Sequence, residues 1–129
     1  MGEVLPEAAK RLLDANSYWV LSTINPDGSP QSSVIWAKCD GEEIAFSTIL
    51  GRRKTRNMQR DPRVSLIAHD PADPQRYVEV RGSASMTEDG GKELIEELSQ
   101  RYDGVPFREG KPDNIRVVCR VQATKVIVR

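Results

Sequence analysis

Histidine occurs once in this 129-residue chain and cysteine twice, and the aromatics amount to two Trp, three Tyr and two Phe. His69 stands alone, and Cys39 and Cys119 are too far apart for a CxxC pair or a metal-ligand spacing, so no bound metal is expected. Such thiols are expected to be reduced, as in a cytoplasmic protein. Charge of either sign is not in excess: 19 Lys and Arg face 19 Asp and Glu. A general nucleic-acid binder carries a basic surplus, and single-strand binders carry stacking aromatics, so no nucleic-acid partner is expected. No apolar run approaches the ~20 residues that span a bilayer. The N-terminus, MGEVLPEAAKRLLDANS, lacks a signal-peptide core, and Gly2 is not followed by the Ser or Thr of a myristoylation site, so no membrane association is expected. A Ser/His/Asp set and a glycine-rich phosphate loop are also missing. The length suits one domain, residues 1–129, with one sizeable core.

Against that even background, one stretch stands out. Ser47–Leu66, STILGRRKTRNMQRDPRVSL, gathers Arg52, Arg53, Lys54, Arg56, Arg60 and Arg63 around a single acid, Asp61. Gly51 marks a turn, Lys54–Arg60 reads as a short helix, and Asp61-Pro62 stops it, because a residue before proline is pushed out of the α region. A strand, a glycine turn and a basic helix start together favour an anion: helix-start N–H groups point outward unpaired, and Lys and Arg add full charge. A solvated basic face is the competing reading.

The rest of the chain reads as strands with two helices. Leu5–Ala15 is expected to be helical, with Pro6 in its first turn and Leu5, Ala8, Ala9, Leu12 and Leu13 at helical spacing. Tyr18–Ile24 is a β-rich run closed by the turn Asn25-Pro26-Asp27-Gly28. Pro30–Lys38 alternates, with Ser32, Val34 and Trp36 on one face and Ser33, Ile35 and Ala37 on the other. Asp40-Gly41 turns into the strand Glu43–Thr48. Val64–His69 and Arg76–Met86 follow, separated by Pro71-Ala72-Asp73-Pro74, and Gly82 marks a bulge or a close backbone approach. Thr87 is a plausible N-cap for the helix Glu93–Tyr102. Asp103–Asn114 is a loop, and Ile115–Val121 and Lys125–Val128 close the chain. Six or so short strands with hairpin turns predict a mainly β protein with flanking helices, a six-stranded small barrel whose closure leaves no exposed edge.

In this order the elements resemble the split β-barrel flavin and deazaflavin proteins related to pyridoxamine phosphate oxidase. Among these the chain looks most like the small actinobacterial-type members that use coenzyme F420. The resemblance runs through YWVLSTINPDGSPQSSVIW, GRRKTRNMQRDPRVSL, YVEVRGSASM and IRVVCRVQATKVIVR, nearly the whole length. It implies an FMN-binding-like split barrel, an oxidoreductase moving a hydride between the reduced deazaflavin and a small unsaturated or quinone-like substrate, and a homodimer with the cofactor groove at the interface. By the same resemblance, Arg52 and Lys54 fall where the cofactor phosphate is held, with Arg53, Thr55, Arg56 and Asn57 beside them. Ser47, Thr48 and Ile49 approach the ring or ribityl chain. Gln31, Ser32, Ser33, Val34 and Trp36 line the ring; an alternating strand of this kind is equally read as plain barrel core. Arg and Lys are the physically expected phosphate partners.

The C-terminal Arg and His of true pyridoxamine phosphate oxidases have no counterpart here, which argues against a vitamin B6 substrate. His69, before a proline turn, reads as structural. Proton delivery is left between solvent and Tyr77. A deazaflavin continues past its phosphate into an acidic tail, which Arg53, Arg56 and Arg60 suit. The alternatives are an FMN-binding oxidoreductase of the same family and a non-catalytic flavin or deazaflavin carrier.

Overall fold

A computed structural model describes residues 3–129; Met1 and Gly2, and with them the lipidation reading at Gly2, lie outside it. The elements are α1 (Glu7–Asp14), β1 (Trp19–Ile24), β2 (Pro30–Ile35), β3 (Lys38–Asp40), β4 (Glu43–Ile49), α2 (Arg53–Arg60), β5 (Arg63–Asp70), β6 (Asp73–Thr87), α3 (Gly91–Tyr102) and β7 (Arg116–Val128). All strands pair antiparallel in one sheet of order β2-β1-β5-β6-β7-β4-β3. The chain is therefore mainly β with flanking helices, as its sequence pattern indicates.

The expected six-stranded closed barrel is corrected to seven strands in an open sheet. The single run expected over Pro30–Lys38 breaks at Trp36 and Ala37 into β2 and β3, which form the two ends of the sheet. The break has a physical cause outside the strand. Tyr102, at the end of α3, brings its phenolic oxygen to the Ala37 N–H (3.1 Å), the Ala37 carbonyl (2.9 Å) and the Ser17 carbonyl (2.8 Å). These groups satisfy the Ala37 backbone where a ladder partner otherwise would. The ring stacks on Trp36, centroids 5.4 Å apart, and tilts against Tyr18 at 5.6 Å.

Alternation places the core on the inner face of the curled sheet. Trp19 and Leu21 of β1, Phe46 of β4, Leu66 of β5, Val80 of β6 and Val121 of β7 are all fully buried there. From α1, Ala9 and Leu13 seal this core, and Pro6 proves to be its N-cap, one position before the first turn. A smaller cluster joins Leu94 and Leu98 of α3 to Ala45 and Val118. Gly82 does mark both a bulge and a close approach. The β6–β7 register shifts between Arg81 and Gly82, and a Cβ there would stand 2.3 Å from the Gln122 carbonyl oxygen. The two closing strands are one, β7, which continues through the bulge.

Two other local expectations are corrected. Thr87 does not cap α3, because β6 pairs with β7 out to that residue; Gly90, in the left-handed region, is the N-cap, and Thr87 Oγ1 accepts from the Asp89 N–H at 3.2 Å. Asp73 and Pro74 belong to β6 and not to the turn before it. Among the described residues no helix is long and apolar enough to cross a membrane.

Candidate cofactor groove

Gly51, with φ at +95°, turns the chain off β4 so that α2 starts without steric strain. Arg52 is the N-cap, and its side chain makes no capping hydrogen bond, so the first N–H groups of α2 are left for an outside acceptor. The helix ends at Asp61, as Pro62 requires.

Residues of α2 divide by face. Lys54 is half-buried and points toward β2, its ammonium donating to Ser33 Oγ at 3.3 Å. Burial lowers its pKa, and the nearby charges of Arg52 and Arg116 lower it further. Among the described residues Lys54 has no ionic partner. Arg52, Arg53 and Arg56 are exposed on the outer side and are likewise unpaired among the described residues. Arg60 is committed elsewhere, donating to the Ile24 carbonyl and to Asn57 Oδ1.

The inner face of α2 is a docking surface. Thr55 donates to the Ile49 carbonyl at 2.7 Å and lies 3.5 Å from Thr48 Oγ1. Asn57, fully buried, donates to Thr23 Oγ1 at 3.0 Å and Asn25 Oδ1 at 2.9 Å; Thr23 in turn donates to Gln31 Oε1 at 2.7 Å. Through these bonds Thr55, Asn57 and Thr23 hold α2 against β4 and the β1–β2 turn, and their polar atoms are used internally. Ser32 is exposed and pairs across strands with Ser22 Oγ at 2.9 Å.

Beside Lys54 opens a groove of about 360 Å3. Of the residues picked out in the sequence, Val34, Trp36, Ser47 and Lys54 share its wall. Val34 is 64% exposed at its rim. The opposite wall is formed by Phe107, from the Asp103–Asn114 loop, and by Ile95 and Leu98 of α3 and Arg116, which sequence reasoning did not assign to the site. Arg116 is held by a bidentate ion pair to Glu109 (2.8 and 3.1 Å) and lies 4.7 Å from the Phe107 ring centroid. That pair brings the Glu109 carboxyl down to about 2. Cys119, near Lys54, is buried, and burial pushes its thiol up to about 12, so it is protonated and uncharged at neutral pH. Tyr77 lines a separate depression with Ala8, Arg11 and Asp70, away from this groove. The exposed ring of His69 contacts the Asp70 carbonyl at 2.9 Å.

A half-buried cation without a counter-ion, at an uncapped helix start and beside an apolar, aromatic wall, fits a ligand with one phosphate and a flat ring. The chain is similar to several proteins of known structure. An F420 reductase is 35% identical, superposes with a TM-score of 0.84, and the match covers 95% of this chain and 98% of that one. A conserved hypothetical protein of Mycobacterium tuberculosis is 29% identical with a TM-score of 0.78, covering 97% and 84%. Pyridoxine/pyridoxamine 5'-phosphate oxidase of Rubrobacter xylanophilus is 33% identical over 87 residues; the match covers 67% of this chain but 40% of that longer protein. Residues 5–129 match the pyridoxamine 5'-phosphate oxidase family, and the chain belongs to that family.

Proposed function

We propose that the Lys54 groove binds coenzyme F420 and that the protein transfers a hydride between the reduced deazaflavin and a small unsaturated or quinone-like molecule. The observation that carries this reading is Lys54 itself: a desolvated ammonium among the groove residues with no acid to neutralise it. Similarity over nearly the full length to an F420 reductase supports it. When bound, the deazaflavin supplies the hydride.

The chain's own residues bind and orient. Lys54 and the first N–H groups of α2 hold the phosphate, with Arg52 at the same helix start. Exposed Arg53 and Arg56 meet the acidic tail beyond it. Val34 and Trp36 provide apolar surface for the ring, and Ser33 and Ser47 provide hydroxyls. Thr48, Ile49, Thr55, Asn57 and Gln31 act at one remove, by fixing α2 and the β1–β2 turn. With Val34 so exposed at the rim, the groove is completed by a second copy of the chain in a homodimer, which also excludes water from the ring. Tyr77 lies outside the groove and is not assigned the proton.

A single half-buried cation also suits FMN, which ends at its phosphate, and this keeps FMN as the second reading. Fluorescence titration of the purified protein with both cofactors separates them. Tighter binding of F420 is expected; tighter binding of FMN would overturn the deazaflavin reading, and failure to bind either would remove the groove as a cofactor site.

A further inference from the structure

Two cations reach the groove, and they are treated differently. Among the described residues Lys54 has no acid beside it, whereas Arg116 is charge-paired with Glu109. Its guanidinium side chain is only 10% exposed and forms both hydrogen bonds to Glu109, at 2.8 and 3.1 Å. Glu109 is itself steadied by Asn114 Nδ2 at 2.9 Å. On the groove side Arg116 lies against Phe107. The segment carrying Phe107 and Glu109 is tied to α3 at two points: the Phe107 N–H donates to Glu96 Oε1 at 3.1 Å and Ser99 donates to the Val105 carbonyl at 2.7 Å. The Lys54 end of the groove is thus positive, while the Arg116–Phe107 end is apolar and electrically balanced.

We propose that the Glu109–Arg116 pair is the specificity determinant for substrate charge, restricting the far end of the groove to uncharged, flat acceptors. The inference rests on the oxidoreductase reading above and narrows its substrate class. The argument is electrostatic. An anionic substrate at this end meets a guanidinium whose charge the Glu109 carboxylate already balances. It must give up water in a partly desolvated site with no net charge there to attract it, which is unfavourable. A neutral quinone loses nothing and packs on Phe107 and Trp36. Removing the acid without changing its shape hands Arg116 to the ligand.

The test uses menadione as the neutral probe and 1,4-naphthoquinone-2-sulfonate as the anionic one, each titrated into the full chain by quenching of tryptophan fluorescence. Wild type, whose Lys54 also attracts the sulfonate, sets the reference ratio of the two affinities. Glu109→Gln is expected to tighten the sulfonate about tenfold, the size of one good charge-assisted contact, and to leave menadione unchanged. The double variant Glu109→Gln/Arg116→Gln is expected to lose that gain, which separates a released guanidinium from a loosened segment. Circular dichroism melting of each variant checks that the fold persists. An unchanged sulfonate-to-menadione ratio in Glu109→Gln overturns the proposal, as does a wild type that binds neither probe. A gain for both probes alike also overturns it, because it means the segment opened. Titration of the same wild-type sample with F420 and FMN reports separately on the cofactor reading, so the two can fail independently.

Discussion

The Lys54 ammonium, on α2, reaches Ser33 Oγ on β2 at 3.3 Å, and this contact joins the basic helix to the strand that lines the groove. A neutral hydroxyl compensates little of the cost of burying a charge, so the lysine is held ready for a stronger acceptor.

Lys54→Ala is expected to weaken cofactor binding about tenfold to a hundredfold, given ~1.5–3 kcal/mol for a charge-assisted contact to phosphate. Arg52→Ala should weaken it in the same direction. Arg63→Ala is the control, since Arg63 pairs with Asp61 at 2.8 Å on an exposed surface outside the groove. Titration with intact melting curves checks the set; equal affinity in all three variants and wild type means that the basic segment is only a solvated face.

The lowered pKa of Lys54 gives a pH signature. In the folded protein the protonated lysine is disfavoured, so it opposes folding at neutral pH. That penalty diminishes as pH rises through the folded value and is gone above the ordinary 10.5. Stability without cofactor, compared between wild type and Lys54→Met, should therefore converge as pH climbs toward that value. Phosphate affinity should fall over the same range, and Lys54→Arg should abolish the fall.

Glu109 works in the opposite sense. Its folded pKa of about 2 lies below the ordinary 4.5, so the Arg116 pair stabilises the fold above 4.5 and the contribution is lost as pH falls through about 2. Glu109→Gln should flatten that part of the acid limb in melting experiments, and identical limbs would show the pair to be energetically idle.

Tyr102→Phe keeps the ring stack on Trp36 but strips the Ala37 N–H and the two carbonyls of their partner. A loss of ~1–3 kcal/mol is expected from leaving such groups unsatisfied, seen as a lower Tm. Hydrogen exchange should quicken at Ala37 in particular.

Asn57→Ala removes both donors that hold α2 to the β1–β2 turn and leaves a small void. It should cost ~2–4 kcal/mol. Cofactor affinity measured below the transition should change far less than in Lys54→Ala. Comparable affinity losses with unaltered melting would instead assign Asn57 to the ligand.

Local chemistry made much of this molecule readable. Gly51, the basic run and Asp61-Pro62 mark both ends of α2 because turn and proline effects act within two or three residues. Alternation in β1 separates the buried Trp19 and Leu21 from their neighbours for the same reason. The break at Trp36 and Ala37 was not readable, since the alternating pattern runs straight through it and the residue that makes it, Tyr102, is 65 positions away. The Thr87 cap failed because pairing with β7 extends β6 past the point where sequence alone suggests a helix start. At the groove, Lys54 and Trp36 announce themselves by type and place. Phe107 and Arg116 sit in a charged loop and at a strand start, and only the fold brings them opposite Lys54.

Thr87 on β6 and Val118 on β7 are ladder partners, so residues 88–115 leave the sheet and re-enter it at nearly one place. The Lys54 helix is a separate excursion, between β4 and β5. The Lys54 helix and the wall of Ile95, Leu98 and Phe107 therefore belong to separate insertions, and either side of the groove is free to be rebuilt without disturbing the other.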